Sequence, residues 1–170
     1  MEEIRRRALE KMADGAVTAF YKADREKVIE VLNDVLATET VCTLRYRSHY
    51  FLAKGIHSSG VENEFLQHAQ EEQDHADRVA KRITELGGTP NLNPEGLATR
   101  SHAQYGQGGK LEDMIQEDLI AERIAIATYS EVIRWLGADD PTTRRMMEDL
   151  LAKEEEHADD MAKLLSRVSK

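Results

Sequence analysis

The chain contains 170 residues, of which 41% are hydrophobic and 32% are charged, and it carries a formal net charge of −9. This length suits a single domain that buries a core without disulfides or metals, and the composition is not that of a disordered chain. The acidic balance disfavours direct binding to nucleic acid and favours the attraction of cations.

The first part of the chain predicts a short helix followed by a long one. Residues 1–24 are expected to form an N-terminal extension with one short helix, and residues 25–170 a single helical domain. Asp24 can cap the first long helix, and apolar residues at helical spacing continue it to about Gly55. Serine and glycine at residues 58–60 then mark a short turn.

A second helix is predicted up to Leu86, where the sequence Gly-Gly-Thr-Pro at residues 87–90 ends it. Residues 91–109 contain four glycines and one proline and indicate a long connection, which is uncommon in a compact domain. A third helix from about Leu111 to Leu136 and a fourth after the turn at residues 137–141 complete the chain. The long connection is explained if the second and third helices run parallel. We therefore predict an all-α four-helix bundle with a crossover.

Two related motifs place a carboxylate and an imidazole on one helix face. Glu72-x-x-His75 lies on the second helix and Glu154-x-x-His157 on the fourth, and the two histidines are 82 residues apart (157 − 75). Residues three apart are neighbours on a helix, so each motif presents both side chains together. One such motif alone is uninformative, because it occurs by chance on exposed helices.

The other two long helices each carry one acidic residue inside an apolar stripe, Glu39 and Glu122. Counting from the two turns places all four glutamates within about one helical turn of the same level. Four carboxylates in an apolar core repel each other and are costly to bury without cations. Two divalent metal ions would remove this cost, and four carboxylates with two imidazoles suit iron or manganese.

This pattern resembles the ferritin-like di-iron carboxylate superfamily, and most closely its bacterioferritin branch, over about residues 25–168. The resemblance implies a ferritin-like bundle with two iron ions per chain, or manganese in their place. It also implies terminal ligands (Glu39 and Glu122), bridging ligands (Glu72 and Glu154) and one nitrogen ligand for each ion (His75 and His157). Tyr46 stands where bacterioferritins have a redox-active tyrosine, and Asp118 is expected in the shell around the ligands.

The same resemblance implies a ferroxidase that oxidises Fe(II) to Fe(III) with O2 or H2O2 and stores or detoxifies the iron in an oligomeric shell. Two features differ from bacterioferritin. Gln73 occupies the position of the methionine that binds haem, so no haem is expected at the usual site. Only 13 residues follow His157 (170 − 157), too few for the fifth helix of the larger shells. A cage of 24 subunits, a cage of 12 and a dimer all remain open.

Two other functions remain compatible with the residues. A di-iron or di-manganese enzyme would consume peroxide, like a peroxidase or catalase, without storing iron. Ala125 stands where the related rubrerythrins carry a further glutamate, and the chain has no Cys-x-x-Cys module. A starvation-type DNA-protecting cage would bind iron between subunits, whereas these ligands lie within one chain.

For three residues near the predicted ligands, the sequence supports less specific predictions. Tyr129 repeats the spacing of Tyr46 from the glutamate of its own helix, but we expect a structural role for it. His68 shares the face of His75 and is either an ordinary hydrogen-bonded histidine or a guide for incoming iron. Glu71 is expected to face solvent or the lining of a cavity.

The sequence also indicates the cellular compartment in which the protein is expected. Cys42 is the single cysteine, so no internal disulfide can form and a reducing cytoplasm is the simplest location. The chain has no apolar run of the roughly 18–20 residues that span a bilayer, and its first residues lack an apolar signal core. We therefore expect a cytoplasmic homo-oligomer without a membrane partner.

Overall fold

The computed structural model describes residues 1–53 and 60–168. The helices are α1 (Glu2–Ala8), α2 (Arg25–Ala53), α3 (Val61–Glu85), α4 (Leu97–Arg100), α5 (Leu111–Leu136) and α6 (Pro141–Val168), with one 3₁₀ turn at Met12–Asp14. No strand occurs in these residues, and none of their helices combines the length and hydrophobicity that a membrane span requires. The prediction of an all-α fold with four long helices and a short N-terminal one is confirmed.

The ends of the long helices follow the capping residues of the sequence. Asp24 precedes α2, and its Oδ1 accepts a hydrogen bond from the backbone N–H of Lys27 at 3.2 Å. α3 ends just before Gly87, which adopts a φ of 81°, and the N–H of Gly88 donates to the carbonyl of Ile83. α5 begins and ends at the predicted residues.

The predicted end of the first long helix near Gly55, and Ser58 and Ser59 in the turn after it, lie outside the described residues. The long connection is not wholly irregular, because the one-turn helix α4 lies within it.

Two apolar clusters fix the directions of the long helices. The first contains Leu32 near the start of α2, Ile83 near the end of α3 and Leu136 at the end of α5. The second contains Phe65 near the start of α3 and Met114 near the start of α5. α3 and α5 therefore run parallel, while α2 packs with α3, and α5 with α6, as antiparallel pairs.

The connection between α3 and α5 lies along α2. The N–H of Asn91 donates to Oδ1 of Asn33 at 2.7 Å near the start of α2, and Nη1 of Arg45 donates to the carbonyl of Gln104 at 3.1 Å further along. The connection therefore follows the length of the bundle, as the parallel arrangement of α3 and α5 requires.

The segment before α2 is held against one end of the bundle. Tyr21 packs on the first apolar cluster and donates a hydrogen bond to Asp140 Oδ2 at 2.9 Å. Asp140 also accepts a hydrogen bond from the N–H of Thr143 at 2.9 Å and pairs with Arg82 at 3.0 Å. These contacts join the N-terminal segment to α3 and α6. The division of the chain at residue 24 stays a prediction.

Candidate metal centre

The six predicted metal ligands lie together between the two apolar clusters. α2 contributes Glu39, α5 contributes Glu122, and the Glu-x-x-His motifs of α3 and α6 contribute two residues each. All six side chains are buried: Glu39, Glu72, His75, Glu122, Glu154 and His157. Because buried carboxylates and imidazoles are costly without partners, their contacts indicate what the cluster can bind.

The six side chains form two overlapping groups, in each of which every residue offers one ligand atom within 4.8 Å of those of the others. One group is Glu39, Glu72, His75 and Glu154, and the other is Glu72, Glu122, Glu154 and His157. Glu72 and Glu154 belong to both groups, so they are placed to face two neighbouring positions. This arrangement suits two cations that lie side by side and share two carboxylates.

The contacts within the centre test whether metal ions fit. Among the described residues, four buried polar atoms here have no hydrogen-bond partner: Glu72 Oε2, His75 Nδ1, Glu122 Oε2 and Glu154 Oε1. His75 Nδ1 lies 3.0 Å from Glu154 Oε1 and 3.4 Å from Glu39 Oε2, without a hydrogen bond to either. Leaving such an atom unpaired costs about 1–3 kcal/mol. Separations near 3 Å are typical of adjacent ligands that each lie about 2.0–2.2 Å from one cation. The donor atoms therefore fit a pair of divalent metal ions.

His157 is positioned through both of its ring nitrogens. Nδ1 lies 3.2 Å from Glu72 Oε1 inside the centre, while Nε2 lies 2.6 Å from Glu71 Oε2. The expected exposure of Glu71 is found only in part, because 27% of its side chain is exposed and its carboxylate turns inward to His157. A carboxylate on the outer nitrogen orients the ring and strengthens the inner nitrogen as a metal ligand.

Two tyrosines hold the two unshared glutamates in a crossed arrangement. Tyr46 of α2 donates a hydrogen bond to Glu122 Oε1 of α5 at 2.5 Å, and Tyr129 of α5 donates one to Glu39 Oε1 of α2. Burial and the neighbouring carboxylate raise the pKa of each hydroxyl, so both stay protonated. The structural role expected of Tyr129 is therefore incomplete, since Tyr129 contacts the centre as Tyr46 does. Their shared spacing of seven residues from a glutamate is the sequence signal for this pairing.

In the metal-free protein, protons partly balance the four carboxylates. Burial and the nearby Glu72 carboxylate raise the pKa of Glu39 to about 8. Burial opposes the charging of His75, but contacts with three carboxylates outweigh it and raise the pKa of His75 to about 12. The same balance raises the pKa of His157 to about 11. A cation that binds these imidazoles must therefore displace protons.

A second buried network lies beside the centre. Asp118 accepts a hydrogen bond from Arg45 Nε at 2.7 Å, and its other oxygen lies 2.9 Å from His49 Nδ1. All three side chains are fully buried. Asp118, which was expected near the ligands, thus joins α5 to α2 through two residues that the sequence did not single out.

His68 lies against the second group of ligands. Its Nδ1 is 3.2 Å from the hydroxyl of Tyr46, and its ring stacks on His157 with the centroids 4.1 Å apart. Burial and the nearby His157 lower the pKa of His68 to about 4, so the imidazole is neutral. Its hydrogen bond agrees with the first of the two alternatives predicted for it, and the stacking places it next to the centre.

Known proteins share this arrangement of helices. The family model described as a ferritin-like domain matches residues 29–170. The chain belongs to the ferritin-like family, whose members include iron-storage proteins. Within this family it is similar to bacterioferritins, which confirms the resemblance seen in the sequence.

The relatives cover most of the chain. The bacterioferritin of Brucella melitensis is 33% identical over 147 residues, which are 85% of this chain and 86% of that protein. A DNA protection during starvation protein from Pyrococcus furiosus is 28% identical over 79% of this chain and 74% of its own length. The solved structure of the bacterioferritin-related protein from Bacteroides fragilis, described as a dodecameric thioferritin, superposes with a TM-score of 0.82. The two sequences are 30% identical, and the superposition covers 87% of this chain and 89% of that one.

Proposed function

We propose that the protein is a ferroxidase that oxidises Fe(II) to Fe(III) at a di-iron centre within each chain and stores or detoxifies the product in an oligomeric shell. The observation that carries the proposal is that Glu72 and Glu154 belong to both ligand groups. A shared pair of carboxylates holds two metal ions close enough to act on one oxidant. Two Fe(II) ions together supply the two electrons that reduce O2 to H2O2, or H2O2 to water.

In this proposal each ligand has a distinct role. Glu39 and His75 bind one ion, Glu122 and His157 bind the other, and the shared glutamates bridge them. Four carboxylates balance the four positive charges of two Fe(II) ions, while the imidazoles must be neutral to bind. Manganese suits the same donor atoms.

The surrounding residues keep the ligands in place. The hydroxyl of Tyr46 holds Glu122, that of Tyr129 holds Glu39, and the carboxylate of Glu71 holds His157. Because these partners fix one atom of each ligand, the other atom remains directed at the metal position. Burial of the whole cluster limits access of water.

Assembly and location are also proposals. The similarity to a protein described as dodecameric supports a cage of twelve subunits over one of twenty-four or a dimer. We place the protein in the cytoplasm. Gln73 lies at the position expected of a haem ligand, where its amide donates to Asp77 at 3.0 Å and offers no thioether to a haem iron.

Replacing a bridging ligand tests the centre. In Glu154→Gln the side chain keeps its size but loses its charge, so we expect Fe(II) oxidation to slow by more than the roughly 10–100-fold that the loss of an outer contact costs. Stopped-flow absorbance after mixing with oxygen measures the rate. Glu155→Gln is the matched control, because Glu155 is the exposed neighbour on the same helix. Oxidation by Glu154→Gln at the parent rate would show that the assignment is wrong.

Iron retention separates storage from a permanent cofactor. The metal-free protein is loaded anaerobically with excess Fe(II), exposed to oxygen and separated by size exclusion with light scattering. Storage predicts retention far above two irons per chain in a particle of about 232 kDa (12 × 19.3 kDa). Retention near two irons per chain would instead favour the alternative, a di-iron or di-manganese enzyme that consumes peroxide without storing iron.

A further inference from the structure

Three side chains next to the metal centre form a further group with metal-binding atoms. Glu64, His68 and Asp160 each place an oxygen or nitrogen atom within 4.8 Å of the other two, and we call these three residues the outer cluster. Glu64 lies one turn before His68 on α3, and Asp160 lies one turn after His157 on α6. The outer cluster therefore lies on the α3 and α6 faces that supply both Glu-x-x-His motifs.

The outer cluster extends from the surface into the core. Glu64 is partly exposed and 35% of the Asp160 side chain is exposed, whereas His68 is 1% exposed. His68 Nε2 lies 3.9 Å from Asp160 Oδ2, which is too far for a hydrogen bond. The same distance fits two ligands that each lie about 2.0–2.2 Å from one cation. One imidazole and two carboxylates are suitable donors for Fe(II) or Zn(II).

His68 also faces the metal centre. His68, Glu122 and His157 have ligand atoms within 4.8 Å of one another, so His68 belongs both to this group and to the outer cluster. Its stacking on His157 holds it in that place. A cation in the outer cluster would thus be separated from the centre by a single imidazole.

The internal repeat shows that packing alone does not require a polar group here. α3 and α6 carry the same motif at an offset of 82 residues, and at this offset His68 corresponds to Leu150 and Glu64 to Met146. Leu150 is fully buried in the first apolar cluster, and Met146 packs against that cluster. The positions equivalent to His68 and Glu64 are therefore apolar in the other half of the bundle, while Asp160 corresponds to Arg78, which pairs with Asp149 at the surface. Within the described residues, the group of one buried imidazole and two partly exposed carboxylates lies on this side of the bundle.

We propose that the outer cluster is a third divalent-cation site, at which Fe(II) binds before it reaches the metal centre. The ion then moves inward while His68 remains its ligand, and Glu122 and His157 replace Glu64 and Asp160 as its other ligands. The identity of the ion as Fe(II) rests on the proposed ferroxidase function, but cation binding by the outer cluster does not depend on oxidation. The parent protein should therefore hold three cations per chain, two in the centre and one outside it.

Counting bound Zn(II), which undergoes no oxidation, tests the site. The double variant Glu64→Gln, Asp160→Asn removes the charge of both outer carboxylates and leaves the six ligands of the centre in place. Equilibrium dialysis should give three Zn(II) per chain for the parent and two for the double variant. The matched control is Asp159→Asn, whose carboxylate is 66% exposed beside Asp160, and it should bind three.

Oxidation at limiting Fe(II) tests the path. If Fe(II) passes through the outer cluster, the double variant should need an Fe(II) concentration about tenfold higher than the parent needs to reach half of its maximal initial rate of oxidation. Asp159→Asn should match the parent. His68→Leu, which places the residue of the repeat-related position here, should also lose one Zn(II) per chain.

The outcomes separate this proposal from the ferroxidase function. Equal Zn(II) binding by the parent and the double variant, or only two Zn(II) in the parent, would overturn the third site while leaving ferroxidase activity intact. Three Zn(II) in the parent without oxidation of Fe(II) would overturn the ferroxidase function and leave the third site standing. If the double variant reaches half of its maximal initial rate at the same Fe(II) concentration as the parent, the proposed path through His68 is wrong.

Discussion

The crossed hydrogen bonds of Tyr46 and Tyr129 lead to a prediction at the scale of single residues. Tyr46→Phe and Tyr129→Phe each remove one hydroxyl and leave a buried glutamate oxygen without its donor. We expect both to slow Fe(II) oxidation by about 10–100-fold, because the glutamate is no longer held toward the metal. Stopped-flow absorbance gives the rates, and circular dichroism checks that the helices persist.

Tyr105→Phe is the control for this pair, since Tyr105 lies exposed in the connection. A slow Tyr46→Phe beside a normal Tyr129→Phe would confine Tyr129 to a structural role. It would also favour the redox role implied for Tyr46 over simple positioning of Glu122.

Residues whose neighbours lie on the same helix could be predicted, and those with distant partners could not. Glu72 and His75 are three residues apart, so helix periodicity alone places them together. The contact between Glu71 and His157 spans 86 residues, and only the packing of α3 on α6 creates it. Arg45 is similar, because its buried carboxylate partner lies 73 residues away on α5.

At the scale of helices, Asp140 joins three elements. It caps α6 through Thr143, pairs with Arg82 of α3 and accepts a hydrogen bond from Tyr21 in the N-terminal segment. We expect Asp140→Ala to lower the free energy of unfolding by about 2–4 kcal/mol, because a cap and a largely buried ion pair are lost together. Thermal or urea unfolding measures the change.

Asp139→Ala is the matched control, since Asp139 is the exposed residue beside Asp140. Equal unfolding of the two variants would show that the contacts of Asp140 contribute little. Tyr21→Phe should cost less than Asp140→Ala, at about 1 kcal/mol, because it removes only one hydrogen bond.

The helices themselves were predictable to different degrees. α5 has the predicted bounds because a turn residue stands at its end and its apolar spacing is regular. α4 was not predicted, since a helix of four residues has no periodicity to detect. Contacts across the connection hold it, with Arg100 donating to the carbonyls of Asn91 and Asn93.

For the whole molecule, the raised pKa values of His75, His157 and Glu39 predict how stability depends on pH without metal. At these three groups the folded chain binds more protons than the unfolded chain, so their contribution to stability falls as pH rises. For Glu39 the loss runs from its ordinary pKa of 4.5 up to about 8. For the histidines it begins at their ordinary pKa of 6.5 and continues to about 11 or 12.

We therefore expect the metal-free protein to melt at a lower temperature near pH 8.5 than near pH 6.5, by about 2–4 °C for each kcal/mol lost. With Zn(II) bound the difference should shrink or reverse, because cations replace the displaced protons. Differential scanning calorimetry with and without a chelator measures both. A metal-free melting temperature that rises over this range would contradict the charge balance inferred for the centre.

The crossed tyrosines also bear on how the two halves of the chain can change over generations. The α2–α3 pair and the α5–α6 pair carry the same motif, as two inherited copies of one hairpin would. Each copy supplies the hydroxyl that holds the other copy's glutamate, at Tyr46 with Glu122 and at Tyr129 with Glu39. A substitution of either tyrosine therefore first affects a glutamate of the other hairpin. The two halves can differ on their outer faces, but substitutions within the two tyrosine–glutamate pairs must be compatible with each other.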